Sequence, residues 1–346
     1  MNKIILSIIL IAVLALPVSA TEMTAPTVPN SGAYIFPDEP ENFSDGLWSI
    51  LSDAMVLIKP AILEAAAACS GLIAISILTS VLSSFPGASR QAVQIVAVLG
   101  ITALLFQSSM VMTQLACETI TELSNYGKLL FPVLTAAVAA QGGTSTSAAL
   151  YVGTAAFDAV LCSLIEKVIV PMVYLYICLS VANAAIRQDL LKRIRDFVKW
   201  LMTWCLKTIL YVFVGYMGIT GVISGATDAA ALKAAKLTIS SVVPVVGGIL
   251  SDASEAILVG ANMVKSTVGV YGLLALISVV IGPFITIGAQ YLLLKGTGFV
   301  CTIINADKPP ELIDNFSTAM GFLLAVTGSV CLLLVVSTVC FMKGVT

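Results

Sequence analysis

The chain contains no histidine, which removes both the commonest general base and the commonest metal ligand. Charge is scarce too: 10% of its 346 residues are Asp, Glu, Lys or Arg, where a soluble domain carries about 25%. A chain so poor in charge and 59% hydrophobic cannot cover itself in water. Net charge is −2, so there is no basic excess to suit nucleic acid. None of the eight cysteines forms a CxxC pair. Cys69, Cys117, Cys162, Cys178, Cys205, Cys301, Cys331 and Cys340 all lie in or beside apolar runs, where a thiol behaves as a small hydrophobe. Also absent are a GxSxG elbow, a Walker-type GxxxxGK, an HExxH helix and a GxGxxG turn. Asp158 is the sole aspartate inside an apolar span, which excludes a paired-aspartate membrane protease. No catalytic residue, cofactor or metal site is expected.

What fills the chain is apolar sequence of membrane-spanning length, recurring from about residue 61 to the end. The pattern predicts an all-α, polytopic helical membrane protein with about 7–9 membrane segments. Its first twenty residues, "MNKIILSIILIAVLALPVSA", have a basic start at Lys3, an apolar centre, and Val18 and Ala20 at the −3 and −1 positions of a cleavage site. Residues 1–20 therefore read as a cleavable signal peptide, 21–60 as an acidic, initially flexible extracytoplasmic leader, and 61–346 as the membrane domain. Spans are expected at 61–84, 91–114, 168–186, 200–222, 268–288, 289–305 and 317–341. Residues 129–147 and 237–262 each read either as a short re-entrant hairpin or as a pair of tight, tilted helices.

Five basic residues, Arg187, Lys192, Arg193, Arg195 and Lys199, crowd into "RQDLLKRIRDFVKW" and should face the cytoplasm. Leu190, Leu191, Ile194, Val198 and Leu201 form an apolar stripe through them at helical spacing. That predicts contact with anionic lipid or with a cytoplasmic partner. The amino terminus is then expected outside the cytoplasm and Lys343 inside.

The stretch "AAKLTISSVVPVVGGILSDASEAILVGA", residues 234–261, is apolar at its centre. Its apolar part, Leu237 to Leu250, would reach only about 21 Å as a helix, too short to span, and is broken by Pro244 and Gly247-Gly248. Shifting the sequence by 112 residues superposes Pro132 on Pro244 and Pro171 on Pro283, a weak parallel repeat of units 129–186 and 237–290. Broken helices in transporters line the solute path. On that reading Ser240, Ser241, Pro244, Gly247, Gly248, Ser251 and Asp252 line a path, with Asp158 either joining them or pairing with Lys207 or Lys295. Glu64, Lys207, Lys295 and Glu166-Lys167 are the other ionisable groups in apolar surroundings. "GYMGITGVISG" holds Gly215, Gly218, Gly221 and Gly225 for close helix contact.

The signal, the acidic leader, the many apolar helices and above all "AAKLTISSVVPVVGGILSDA" resemble the stage III sporulation protein AE family of endospore formers. The resemblance implies a membrane component, not an enzyme, of a secretion-like channel complex between mother cell and forespore, needed after engulfment. It would lie in the mother-cell membrane around the forespore. Implied partners are the other stage III A proteins, including a secretion-type ATPase and ring-forming proteins, with a forespore channel protein across the gap. The alternatives are a stand-alone secondary transporter using Asp158, or a purely structural membrane anchor for the extracellular rings.

Overall fold

A computed structural model describes residues 25–37, 43–85, 89–140, 144–186, 188–242, 247–304 and 309–343. At 90, 144–146, 218, 220–242, 247–265, 309 and 343 it describes the backbone alone. The described residues are helical nearly throughout. One turn, α1 (Asn30–Ala33), precedes α2 (Phe43–Ser83) and α3 (Arg90–Ala140). Then come α4 (Thr144–Leu164), a π-helical turn (Ile165–Ile169), α5 (Val170–Ile186), α6 (Asp189–Val242), α7 (Gly247–Ile303) and α8 (Pro309–Lys343).

Local chemistry places the ends. Asp45, Asp189 and Glu311 sit in first turns, where acids favour the helix dipole. Pro309 and Pro310 open α8, where a missing N–H leaves nothing unsatisfied. Within the helices, hydroxyls return to the carbonyl four residues back: Ser76 to Leu72, Thr113 to Ser109, Ser180 to Tyr176, Thr338 to Leu334. Polar residues in an apolar bundle are thus satisfied without leaving their own helix.

Among the described residues, six helical stretches are long and apolar enough to cross a membrane. Fewer appear than the sequence segments suggested, because several segments join. Residues 91–114 and 129–140 both belong to α3, and 268–288 with 289–303 to α7. Pro132 and Pro283 lie inside these helices without ending them. Pro171 opens α5 behind the π turn, whose extra residue relieves the clash of a proline ring with the carbonyl four positions back. At 1.5 Å per residue the helices of 51, 54 and 57 residues run roughly 75–85 Å, well beyond a hydrocarbon core of about 30 Å.

The helices alternate in direction, as contacts at the two ends show. At one end Ser80 of α2 donates to the Ile304 carbonyl after α7, and Tyr176 of α5 to Asn315 of α8. At the other, Phe131 of α3 stacks on Phe341 of α8, and Thr154 of α4 donates to Ser337. The centre is the α7–α8 hairpin, the most extensively packed pair; α2, α3, α4, α5 and α6 surround it. The described parts of both ambiguous segments belong to helix ends. Residues 129–140 are the last turns of α3 before α4 begins at Thr144, and Val242 ends α6 shortly before Gly247 begins α7.

Two expectations change. Residues 25–37 of the leader pack against the bundle: Phe36 meets the Tyr271 ring at 4.7 Å, Ser31 donates to Glu122, and Gly32 is buried on α7. A Cβ on Gly32 would stand 2.6 Å from Ser278 Oγ and 2.8 Å from the Val279 nitrogen, so only glycine fits that approach. Lys343, expected beside the basic cluster, ends α8 at the opposite end, where Phe341 stacks on Phe131 of α3. The seven-span count behind that expectation split helices that are continuous. A reporter fused after Lys343 should therefore be exposed on the same side as residues 25–37. Alkaline phosphatase and green fluorescent protein fusions check this: active phosphatase with a dark fluorophore is expected.

Candidate functional site

Polar groups concentrate at three levels of the bundle. The first lies at the end carrying the basic cluster. Arg195 is buried, 7% exposed in its side chain, and its guanidinium reaches Glu311 of α8 at 3.1 Å and Asp196 at 3.0 Å. Lys295 pairs with Asp314, and Tyr176 donates to Asn315 at 3.0 Å. This network joins α5, α6, α7 and α8 at the end of the bundle that carries the basic cluster.

The helix carrying that cluster buries a face one step away from the one expected. Val198, Met202 and Leu206 point inward with Arg195, whereas Leu190 and Ile194 are exposed. Lys192, Arg193 and Lys199 are exposed as expected; Arg187 lies outside the described residues. Arg195 thus leaves the lipid or partner surface and becomes an internal tie. Phe197, Trp200 and Trp204 stack along the outside of α6 at 5.8 and 6.2 Å, the arrangement of aromatics that settle at a membrane interface.

The second level is a cavity of about 290 Å³ between α2, α3 and α7. Glu64 from α2, Gln107 and Ser108 from α3, and Thr286 and Gln290 from α7 supply its polar lining; Leu104, Val111 and Met112 supply apolar wall. Gln290 is buried and gives an amide N–H to Ser108 Oγ at 3.2 Å. Thr286 gives its hydroxyl proton to the Gly282 carbonyl at 3.1 Å. Each of these residues lies about 20–29 Å along its helix from the end that carries the basic cluster. A search for charges inside apolar runs finds Glu64 and passes over Gln107 and Gln290. Two glutamines within long apolar stretches were the signal for this site.

The third level holds Asp158. It is buried, accepts a hydrogen bond from Ser124 of α3 at 2.7 Å, and lies 3.8 Å from the Cys162 sulfur. Neither expected lysine reaches it: Lys295 is engaged by Asp314, and Lys207 is exposed on α6. Asp158 is therefore a hydrogen-bonded group between α3 and α4, not half of an ion pair with either.

Of the other expected path-lining residues, Pro244 lies outside the described residues. So do the side-chain surroundings of Ser240, Ser241, Gly247, Gly248, Ser251 and Asp252, whose backbones fall in the last turns of α6 and the first of α7. Gly215 has no heavy atom within 4 Å of where its Cβ would be, so it makes no close helix contact among the described residues; the surroundings of Gly218, Gly221 and Gly225 lie outside them. Among the described residues no three His, Cys, Asp or Glu side chains come together in a way that could hold a metal.

The family model for stage III sporulation protein AE matches residues 41–344, the whole helical bundle from α2 to the end of α8. Stage III sporulation protein AE of Bacillus subtilis (strain 168) is 22% identical over 222 residues, covering 64% of this chain and 56% of that protein. The matched region thus spans little more than half the length of that relative. No solved structure matches the chain. With a family model extending over nearly all of a six-span helical bundle, the chain belongs to the stage III sporulation protein AE family.

Proposed function

We propose that this chain is a membrane-embedded, non-enzymatic component of a secretion-like channel complex joining mother cell and forespore, required for spore development after engulfment. The observation that carries the reading is the family match over a bundle of six spanning helices. It lies in the mother-cell membrane and works with other stage III A proteins, a secretion-type ATPase on the cytoplasmic side among them, and with a forespore protein across the gap. The corner between α6 and α7, with Ser240, Ser241, Gly247, Gly248, Ser251 and Asp252 beside Pro244, contributes to the water-filled path. Lys192, Arg193 and Lys199 hold the opposite end against anionic lipid or the cytoplasmic partner.

Cysteines placed singly at Ser241, Gly248 and Ser251, in a background cleared of the eight native cysteines, test the path. Labelling by an impermeant thiol reagent from the intermembrane side is the expected result. Protection at all three, with denatured protein labelling well, would remove this corner from any path and favour a structural anchor. A stand-alone transporter would instead move a defined solute when reconstituted without partners and lose that activity in Asp158→Asn.

A further inference from the structure

Among the described residues, α6 presents an outward face that no other helix covers. Its inner side is Val198, Met202, Leu206 and Phe213, all buried; on the outer side Phe197, Trp200, Trp204 and Tyr211 are each more than half exposed. Lys199 stands one residue before Trp200 and Lys207 three after Trp204, and both are exposed. With Thr203 between them they follow at steps of four, so the three run along one side of the helix beside the two tryptophans. From Trp200 to Met217 the single charge is Lys207. It lies in a stretch, Asp189–Met217, long and apolar enough to cross a membrane. No acid pairs with either lysine among the described residues, and the acid nearest in sequence, Asp196, is committed to Arg195. An ammonium on the outward side of an apolar stretch is costly unless it reaches polar surroundings or an anion. Helical side chains lean towards the N-terminus, which directs Lys207 back past Thr203 and Trp204, towards the end that carries the basic cluster.

We propose that this patch binds the headgroup of one anionic phospholipid. Lys199 and Lys207 hold its phosphate, and the Trp200 and Trp204 rings, stacked 6.2 Å apart, carry the glycerol and the upper acyl chain. Charge selects the anionic class, because the patch offers two unpaired ammonium groups. The tryptophans select a lipid over a soluble phosphate, which would leave both rings uncovered; rings with an apolar body and a polar N–H suit the boundary between acyl chain and headgroup. The inference rests on the reading that this end of the bundle lies against anionic lipid, and narrows it to one headgroup at one position.

The chain holds three tryptophans, so Trp48→Phe leaves Trp200 and Trp204 as the only indole emitters. That full chain, in nanodiscs of phosphatidylcholine, receives increasing amounts of phosphatidylglycerol bearing a nitroxide high on its acyl chain, or of phosphatidylcholine with the same label. Quenching should show an affinity for phosphatidylglycerol at least about tenfold higher, at roughly fivefold for each engaged lysine. Lys199→Gln and Lys207→Gln should each remove about fivefold, and Lys207→Arg should keep the preference. Lys167→Gln, at an exposed lysine of the π turn, should change nothing. Equal quenching by the two lipids would leave the lipid-facing reading intact and overturn the headgroup site. An equal fall in Lys167→Gln would trace the preference to net charge and overturn it too. Inorganic phosphate that abolished the preference would make the ligand a soluble anion, against the proposal. Tryptophans quenched by neither lipid would sink the lipid-facing reading as well, and give this face to a protein partner.

Discussion

Asp196→Asn combined with Glu311→Gln should destabilise the bundle by about 3–5 kcal/mol, the usual cost of stranding a buried charge. Arg195 is the buried member of the network, 7% exposed, while its two acids are 54% and 52% exposed. Removing both acids leaves a guanidinium in the interior with nothing to compensate it. Removing Arg195 instead, as Arg195→Met, leaves two half-exposed carboxylates that water can solvate, at a cost of about 1 kcal/mol or less. The order is the reverse of what a lipid-facing arginine would give, since the acids would then matter little. Heating each variant in one detergent and following the folded fraction by fluorescence-detected size exclusion checks the ranking. A milder effect for the double acid variant than for Arg195→Met would show that Arg195 is not held inside.

Gly153→Val should open the contact between α4 and α6. A Cβ at Gly153 would stand 2.1 Å from Tyr216 Cε1 and 2.8 Å from its Cζ, so the ring must leave. That ring is pinned on both sides: its hydroxyl donates to the Ala149 carbonyl at 3.1 Å, and it lies 5.6 Å from the Phe157 ring. Overpacking costs about 1–3 kcal/mol, and the lost hydrogen bond adds about 1 kcal/mol. Tyr216→Ala in the same chain should recover much of the loss by vacating the space, a coupling readable in a double-mutant cycle. Gly296→Ala is the control, because nothing stands within 4 Å of its Cβ; there the helix should gain up to about 1 kcal/mol. If Gly153→Val and Gly296→Ala behaved alike, the close approach of α4 to α6 would be refuted.

The helical class and the membrane setting were legible from scarcity of charge and length of apolar runs, because those follow from composition. Segment boundaries were not. Pro132 and Pro283 read as breaks, yet a proline inside a packed bundle has its freed carbonyl satisfied by neighbouring groups, and the helix continues. Periodicity in "RQDLLKRIRDFVKW" also misled, for a reason particular to lipid. In water the apolar face of a helix is the buried face; in a bilayer the outside is apolar as well, so Leu190 and Ile194 face outward while Arg195 faces inward. Its partner Glu311 lies 116 residues away, beyond any local pattern. The cavity was hidden similarly: Glu64, Gln107 and Gln290 come from three helices, and only their convergence makes a site.

The π turn at Ile165–Ile169 also keeps phase along the chain. Buried positions run Leu150, Thr154, Asp158 and Leu161 before it, Ile165 and Ile169 at its two ends, then Val173, Tyr176, Ser180 and Ala184 after it. On an uninterrupted α-helix Ala184 would be rotated about 160° from Leu150; taking one residue out of the count brings that to about 60°. The single extra residue lets one stripe follow the core for the length of two helices, so that Asp158 can face Ser124 and Tyr176 can still face Asn315. A one-residue deletion in this turn would leave composition and hydropathy almost unchanged while turning every side chain beyond it by about a quarter of a circle or more.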